Sequence, residues 1–320
     1  GAISGLGNLT LADVGGTATF SNNVAAAALN ADNTVANITF TGGTNTFSGA
    51  ASFTNDGTLT LGNASGDSFT FNGGVTENTT GTVTLASTIN SSNDAISFGA
   101  VTLAAATTID TNATNTDGDI TIAAVTGDNS NLTLSTGTVA NADITASGAI
   151  SGVITLTLAD VGGTATLSAD VDVTTLTIGN TVVNVAFTGN GSSVASAFTP
   201  NNTGTFIFGT SGGTQTYNGG LNTASVDGIV TLNGTIASSD DALTFGAVTL
   251  GSATTIDTNA SSNAADITVA AITGGSNNLT LSTGNNIAGA DITASGAISG
   301  LGNLTLADVG GTATFSNNVA

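Results

Sequence analysis

The chain contains no Lys, Arg, His, Cys, Met or Trp, a single Pro and a single Tyr in 320 residues. Each absence excludes something. Without a basic residue there is no surface that releases counterions from phosphates, so nucleic acid is excluded as a partner. Attachment to anionic lipid head groups is excluded on the same ground. Without His or Cys no Ser-His, Cys-His or zinc arrangement can be assembled, and no disulfide can staple the fold. No apolar run approaches the roughly 20 residues of a membrane-spanning helix, so membrane insertion is not expected. A chain without Lys or Arg also offers trypsin-like proteases no cleavage site.

What is present is narrow. Acidic residues number 21, for a formal charge of −21, yet only 7% of the chain is charged, against about 25% in average proteins. Hydrophobic residues make up 40% and include 13 Phe. That is too apolar for disorder by composition. Solubility rests on Thr, Ser, Asn and Gly, and the apolar set suits a thin core stacked in layers.

The sequence is a repeat. GAISGLGNLTLADVGGTATFSNNVA occupies residues 1–25 and returns unchanged at 296–320, and a looser copy, GAISGVITLTLADVGGTATLSADVD, begins at Gly148. The expected organisation is one copy over 1–147, a second over 148–295, and the start of a third over 296–320. Landmarks agree in phase: FGAVTL at 98–103 and 245–250, ATTIDTNA at 106–113 and 253–260, NLTLSTG at 131–137 and 278–284. One extra residue enters where TVANADIT (138–145) becomes NNIAGADIT (285–293), as a loop absorbs an insertion. Gly1 lies inside a repeat, so any export signal is expected outside these residues.

A shorter period runs inside each copy. Four-residue segments with alternating apolar residues begin at Thr17, Asn37, Thr58, Thr82, Ala100, Asp119 and Asp143, and the series continues at Thr164. The steps average 21 residues, and the second copy repeats their irregularities. Alternation of period two is the strand signal. It directs Ile38 and Phe40, Leu59 and Leu61, Val83 and Leu85, Val101 and Leu103, and Ile120 and Ile122 inward. Clusters of Gly, Asn, Ser and Asp between segments read as turns. No apolar 3.6 period persists, so no helix is expected.

Units of this length read as coils of an all-β right-handed parallel β-helix, a β-solenoid, with about 21 residues per coil. Seven coils per copy give about 14 per 295-residue period, each advancing about 4.8 Å. Pro200, in FTPNNTG (198–204), falls in a turn, where a residue without an N–H is tolerated.

Candidate chemistry is sparse. Asp117 and Asp119 flank a Gly as calcium ligands can, and Asp110 and Asp257 recur in phase within TIDTN. These four are the candidate metal ligands, calcium the candidate cofactor, against the plain reading of solvated turn carboxylates. Asp13, Asp160 and Asp308, and Asp143 with Asp291, also recur in phase and predict acidic rows. Asp240 and Asp241 are adjacent, but Asn93 and Asp94 stand there in the first copy, which argues against a conserved glycan-cleaving pair. No enzyme is expected. Thr pairs such as TAT (17–19) and TLT (58–60) suggest ice-binding ladders, against the plain fact that Thr suits exposed strands. Sequons at Asn8, Asn37, Asn63, Asn78, Asn112, Asn131, Asn259, Asn278 and Asn303 arise readily in a chain this rich in Asn, Thr and Ser.

The segments NLTL, NITF, TVTL and DITI, with the GAISG…LADVGGTAT block, resemble large prokaryotic β-strand-repeat surface proteins, of the filamentous-haemagglutinin-like and autotransporter-passenger kind. The resemblance implies a secreted right-handed β-helical stalk serving adhesion, biofilm or a cell coat. The expected role is a structural extracellular or cell-surface filament whose partner is itself, end to end and laterally. The alternative is the stalk of an adhesin with its binding tip elsewhere. Ice-binding or glycan-active solenoids are the distant alternatives.

Overall fold

A computed structural model describes residues 1–284 and 287–320. Among them there is no helix, and every strand pairing is parallel. The fold is a β-solenoid of about 14 turns with about 22 residues per turn. Each turn carries three short strands separated by polar corners. The chain divides into two compact units, Gly1–Thr166 and Leu167–Ala320.

In the first unit the three strands of each turn build three faces, A, B and C in chain order. Face A stacks Ala18, Ile38, Leu59, Val83, Val101, Val125 and Ile150. Face B stacks Asn45, Phe69, Ile89, Ile109, Leu134 and Leu158. Face C stacks Leu9, Leu29, Ala51, Val75, Ile96, Ile120 and Ile144. In the second unit face D stacks Val185, Phe206, Val230, Val248, Ile272 and Ile298. Face E carries Gln215, Ile236, Ile256, Leu281 and Leu306. Face F carries Phe198, Leu221, Leu243, Ile267, Ile292 and Ala313.

The ten residues directed inward by alternation, from Ile38 to Ile122, are all buried. Each large inward side chain contributes about 1.5–3 kcal/mol, and like residues meet on successive turns. Phe20 stacks on Phe40 at 4.5 Å and Phe47 on Phe71 at 5.3 Å. In the second unit Phe198 stacks on Tyr217 at 5.8 Å. Burial pushes the Tyr217 hydroxyl's pKa well up, and that hydroxyl donates to Gln215 Oε1 at 3.0 Å.

Corner chemistry explains the composition. Among the described residues ten non-glycine residues have positive φ, and nine of them are Asn or Asp, among them Asp13, Asn93, Asn112, Asp240, Asn259 and Asp308. A left-handed residue relieves its strain best when its short polar side chain bonds nearby backbone. Pro200 is buried in a corner without regular structure, ahead of the strand Phe206–Phe208.

One step of the short period is drawn differently by the structure. The steps from Thr17 through Asn37, Thr58 and Thr82 to Ala100 are true coil-to-coil pairings along face A. The next is not: Val101 pairs with Val125, and Ile120 lies beneath Ile96 on face C. The second unit repeats this, with Val248 beside Ile272 and Ile267 beneath Leu243. The 19-residue spacing mimics one coil but runs only two faces around. The extra residue of the second copy lengthens one coil from 24 (Ile120 to Ile144) to 25 (Ile267 to Ile292) without moving its flanking strands. Asn285 and Asn286, where the insertion was expected in a loop, lie outside the described residues.

Candidate functional site: the acidic corners

The recurrent acids sit at corners or on outward strand positions. Asp110 faces out on face B, with Asn90 on one neighbouring coil and Ser135 on the other. Its Oδ1 accepts the Asn112 N–H at 2.8 Å. Asp257 repeats this in the second unit, beside Ala237 and Ser282, accepting the Asn259 N–H at 2.9 Å. Both carboxylates therefore hold the left-handed turns that follow them, and neither has another carboxylate beside it on its ladder.

Asp119 accepts the Asp143 N–H at 2.9 Å, and Asp143 accepts the Thr164 N–H at 2.7 Å. In the second unit Asp266 serves Asp291 at 2.9 Å, and Asp291 serves Thr312 at 2.6 Å. The predicted acidic rows shorten to one stacked pair per unit at this corner. Elsewhere the same task falls to amides: Asn37 Oδ1 accepts both the N–H and the hydroxyl of Thr58 at 2.9 Å, and Asn184 does so for Thr205. Exposed Asp117 is not brought into a cluster with Asp119 and Asp110. Among the described residues no three metal-ligating side chains gather.

Asp240 is the most heavily engaged acid, and composition alone did not single out its role. Its carboxylate accepts the N–H and hydroxyl groups of Ser261 and Ser262 and the N–H of Asn263, one coil on. These donors hold its pKa far below the usual carboxylate range. Asn93 occupies the same corner of the first unit and accepts from Thr114 and Asn115. The legible signal was the paired INSSND (89–94) and IASSDD (236–241) at one phase. Asp241 is not part of this cradle, and no opposed carboxylate pair forms there.

Two further polar groups escaped the sequence reading. The single glutamate, Glu77, is buried; its Oε1 accepts the Thr79 N–H and its Oε2 the Gly99 N–H at 2.9 Å. In the second unit Thr223 hydroxyl serves Gly246 N–H at 3.3 Å. Asn55 and Asn202, equivalent and fully buried, each turn Nδ2 onto corner carbonyls.

A cleft of about 420 Å³ in the second unit is lined by Asp257, Asn259, Ser261, Ser282, Gly284 and Asp308 among others. Thr19, Thr39, Thr60, Thr84, Thr102 and Thr126 stand one above another on face A. No protein-family model, curated protein or solved structure matches the chain.

Proposed function

We propose that this chain is a stretch of a structural extracellular or cell-surface filament built of stacked β-solenoid coils. The observation that carries the proposal is the use of the acidic and amide corners. Side chains placed to bind ligands instead bond the backbone of the next coil, at Asn37–Thr58, Asp143–Thr164, Asp240–Ser261 and Asp291–Thr312. Stacking therefore continues wherever the sequence repeats, and the 25-residue stretch at 1–25 and 296–320 gives the repeat a register to continue in. The function is mechanical: stiffness, spacing and resistance to proteases that need Lys or Arg. The β-solenoid fold agrees with the resemblance to filamentous-haemagglutinin-like and autotransporter-passenger stalks. In that reading the chain is exported, its principal partner is itself, and calcium at turn carboxylates is an accessory.

Electron microscopy of the purified chain at rising concentration, with fibre diffraction, tests this. Filaments with a reflection near 4.8 Å along the fibre axis are expected, because strands lie across the axis and coils repeat along it. Particles that stay single at every concentration, with or without calcium, would overturn it. The adhesin reading differs by requiring a bound surface ligand, which cell-binding assays of the same chain would reveal. The threonine row on face A favours one further reading, ice binding. A freezing-point hysteresis measurement decides that one.

A further inference from the structure

We propose that the 147-residue repeat is out of step with its own coil, advancing six and two-thirds coils rather than seven. The same surface is thereby turned by a third of a turn in each successive copy. The observation lies within the first unit, which contains two occurrences of the opening stretch. Ile3 pairs with Val24, and the adjoining Ala25 pairs with Thr46, so GAISG at 1–5 heads face B. Following that face, Ile3 is succeeded by Val24, Asn45, Phe69, Ile89, Ile109 and Leu134, which is six coils. The second GAISG has not come round to face B. Its Ile150 pairs with Val125 on face A, two faces beyond Leu134 and one before Leu158.

The other landmarks shift with it. Leu9 of GNLTL heads face C, while Leu156 of the second occurrence lies on face B. TATF at 17–20 heads face A, whereas Thr164, which opens TATL, is held by Asp143 at the head of the face C strand Ile144–Ala146. In the second unit the third occurrence follows its preceding landmarks as the second does in the first unit: Ile298 lies on the face of Val248 and Ile272, as Ile150 lies on the face of Val101 and Val125.

Three segments thus each seat on two different faces. They can do so because the faces share one pattern: mostly aliphatic or Phe residues inward, and mostly Thr, Ser or Asn outward. Outward rows of Thr or Ser recur on face A (Thr39, Thr60, Thr84), face B (Thr88, Thr108, Thr133) and face C (Thr76, Ser97, Thr121). Corner loops set the coil lengths, which range from 18 (Val83 to Val101) to 26 (Ile272 to Ile298). Nothing in them forces a whole number of coils into 147 residues. In a polymer of the repeat, a feature borne once per copy, such as the Asn93/Asp240 cradle, returns to its own face only every third copy. That is about 20 coils, or about 96 Å at roughly 4.8 Å per coil. The polymer then offers each feature in three directions, so lateral contact and recognition are not confined to one side. The coil count rests on this chain's own pairing and stands whether or not the filament reading holds.

The test uses the absence of native cysteine. Paired substitutions Thr102→Cys with Thr126→Cys, and Thr102→Cys with Thr121→Cys, are treated with a short bifunctional thiol reagent, and linkage is read from intact mass. The first pair stands on adjacent coils of face A and should link nearly completely. The second should link no more than single-cysteine controls, because Thr121 lies on face C above Thr145. Linkage of the second pair in place of the first would restore seven whole coils and overturn the proposal. Thr249→Cys with Thr273→Cys, against Thr249→Cys with Thr268→Cys, repeats the test in the second unit. Failure of both first-type pairs would also overturn it.

Discussion

Asn202 offers a controlled perturbation already half performed by the repeat. In the first copy Asn55 is fully satisfied: Nδ2 donates to Gly57 and Thr58 carbonyls at 3.3 and 3.1 Å, and Oδ1 accepts the Thr79 hydroxyl at 3.1 Å. In the second copy Nδ2 of Asn202 donates to the carbonyls of Val183, Gly204 and Thr205 at 3.0, 3.1 and 3.0 Å. Its Oδ1 has no partner. The phase identifies the cause. Thr80 N–H donates to Asn55 carbonyl and Asp227 N–H to Asn202 carbonyl, so Val226 stands where the first copy has Thr79. Three carbonyls around Nδ2 fix the amide's orientation, and a flip gives no escape. A buried unsatisfied acceptor costs about 1–3 kcal/mol and a restored hydrogen bond returns about 0.5–1.5. Val226 is only partly buried, so Val226→Thr loses little apolar contact. The expected gain is about 1 kcal/mol, close to a fivefold change in the opening equilibrium. Thr79→Val should lose about 1–2 kcal/mol by the same reasoning. Because solenoid coils open locally, amide hydrogen exchange at Thr203–Thr205 and Asp227–Gly228 is the suitable measurement. Protection should rise about fivefold in V226T and fall around Thr58 and Thr80 in T79V. Unchanged protection in both variants would refute the reasoning.

Leu134→Ala, in the middle of face B at full burial, should cost about 2–5 kcal/mol through its cavity; a urea midpoint within error of the parent would contradict stacked-ladder packing. Gly62 has φ +85°, and an added Cβ would lie 2.5 Å from the Ala86 carbonyl oxygen, so Gly62→Ala should lower thermal stability by at least about 1–2 kcal/mol, checked by calorimetry. The pH response divides two acids. Asp240 has its folded pKa below the unfolded value, so its cradle contributes fully above about pH 4 and weakens only as pH falls further; a carboxyl resonance titrating in the ordinary aspartate range would be the contrary result. Asp172 is raised by partial burial and then by Asp170, so its charged form opposes folding and Asp172→Asn should stabilise at neutral pH but not below both pKa values; equal effects at both pH values would count against this.

Much of the fold was legible because alternation is a local property. Ile38, Phe40, Leu59 and Leu61 declared their inward direction by spacing alone, and the reproduced intervals declared a solenoid. The corners were legible as corners but not as devices. Asp110 and Asp257 drew notice as repeated acids, yet their work is to hold Asn112 and Asn259 in left-handed turns. Asp240 and Glu77 were indistinguishable in sequence from solvated carboxylates, since the donors that bind them across coils, Ser261 and Gly99, lie 21 and 22 positions away.

The sequence by itself determined the class of structure, the coil length, the inward residues and the absence of cationic and thiol chemistry. Those follow from composition and from a side-chain period of two, which each strand expresses alone. Only the tertiary structure decided which strand lies on which. AVTL at 100–103 fits equally well over DITI at 119–122 or over Ala124–Thr126, because every face presents the same alternation. Loop length and corner hydrogen bonds made the choice, seating Val101 beside Val125.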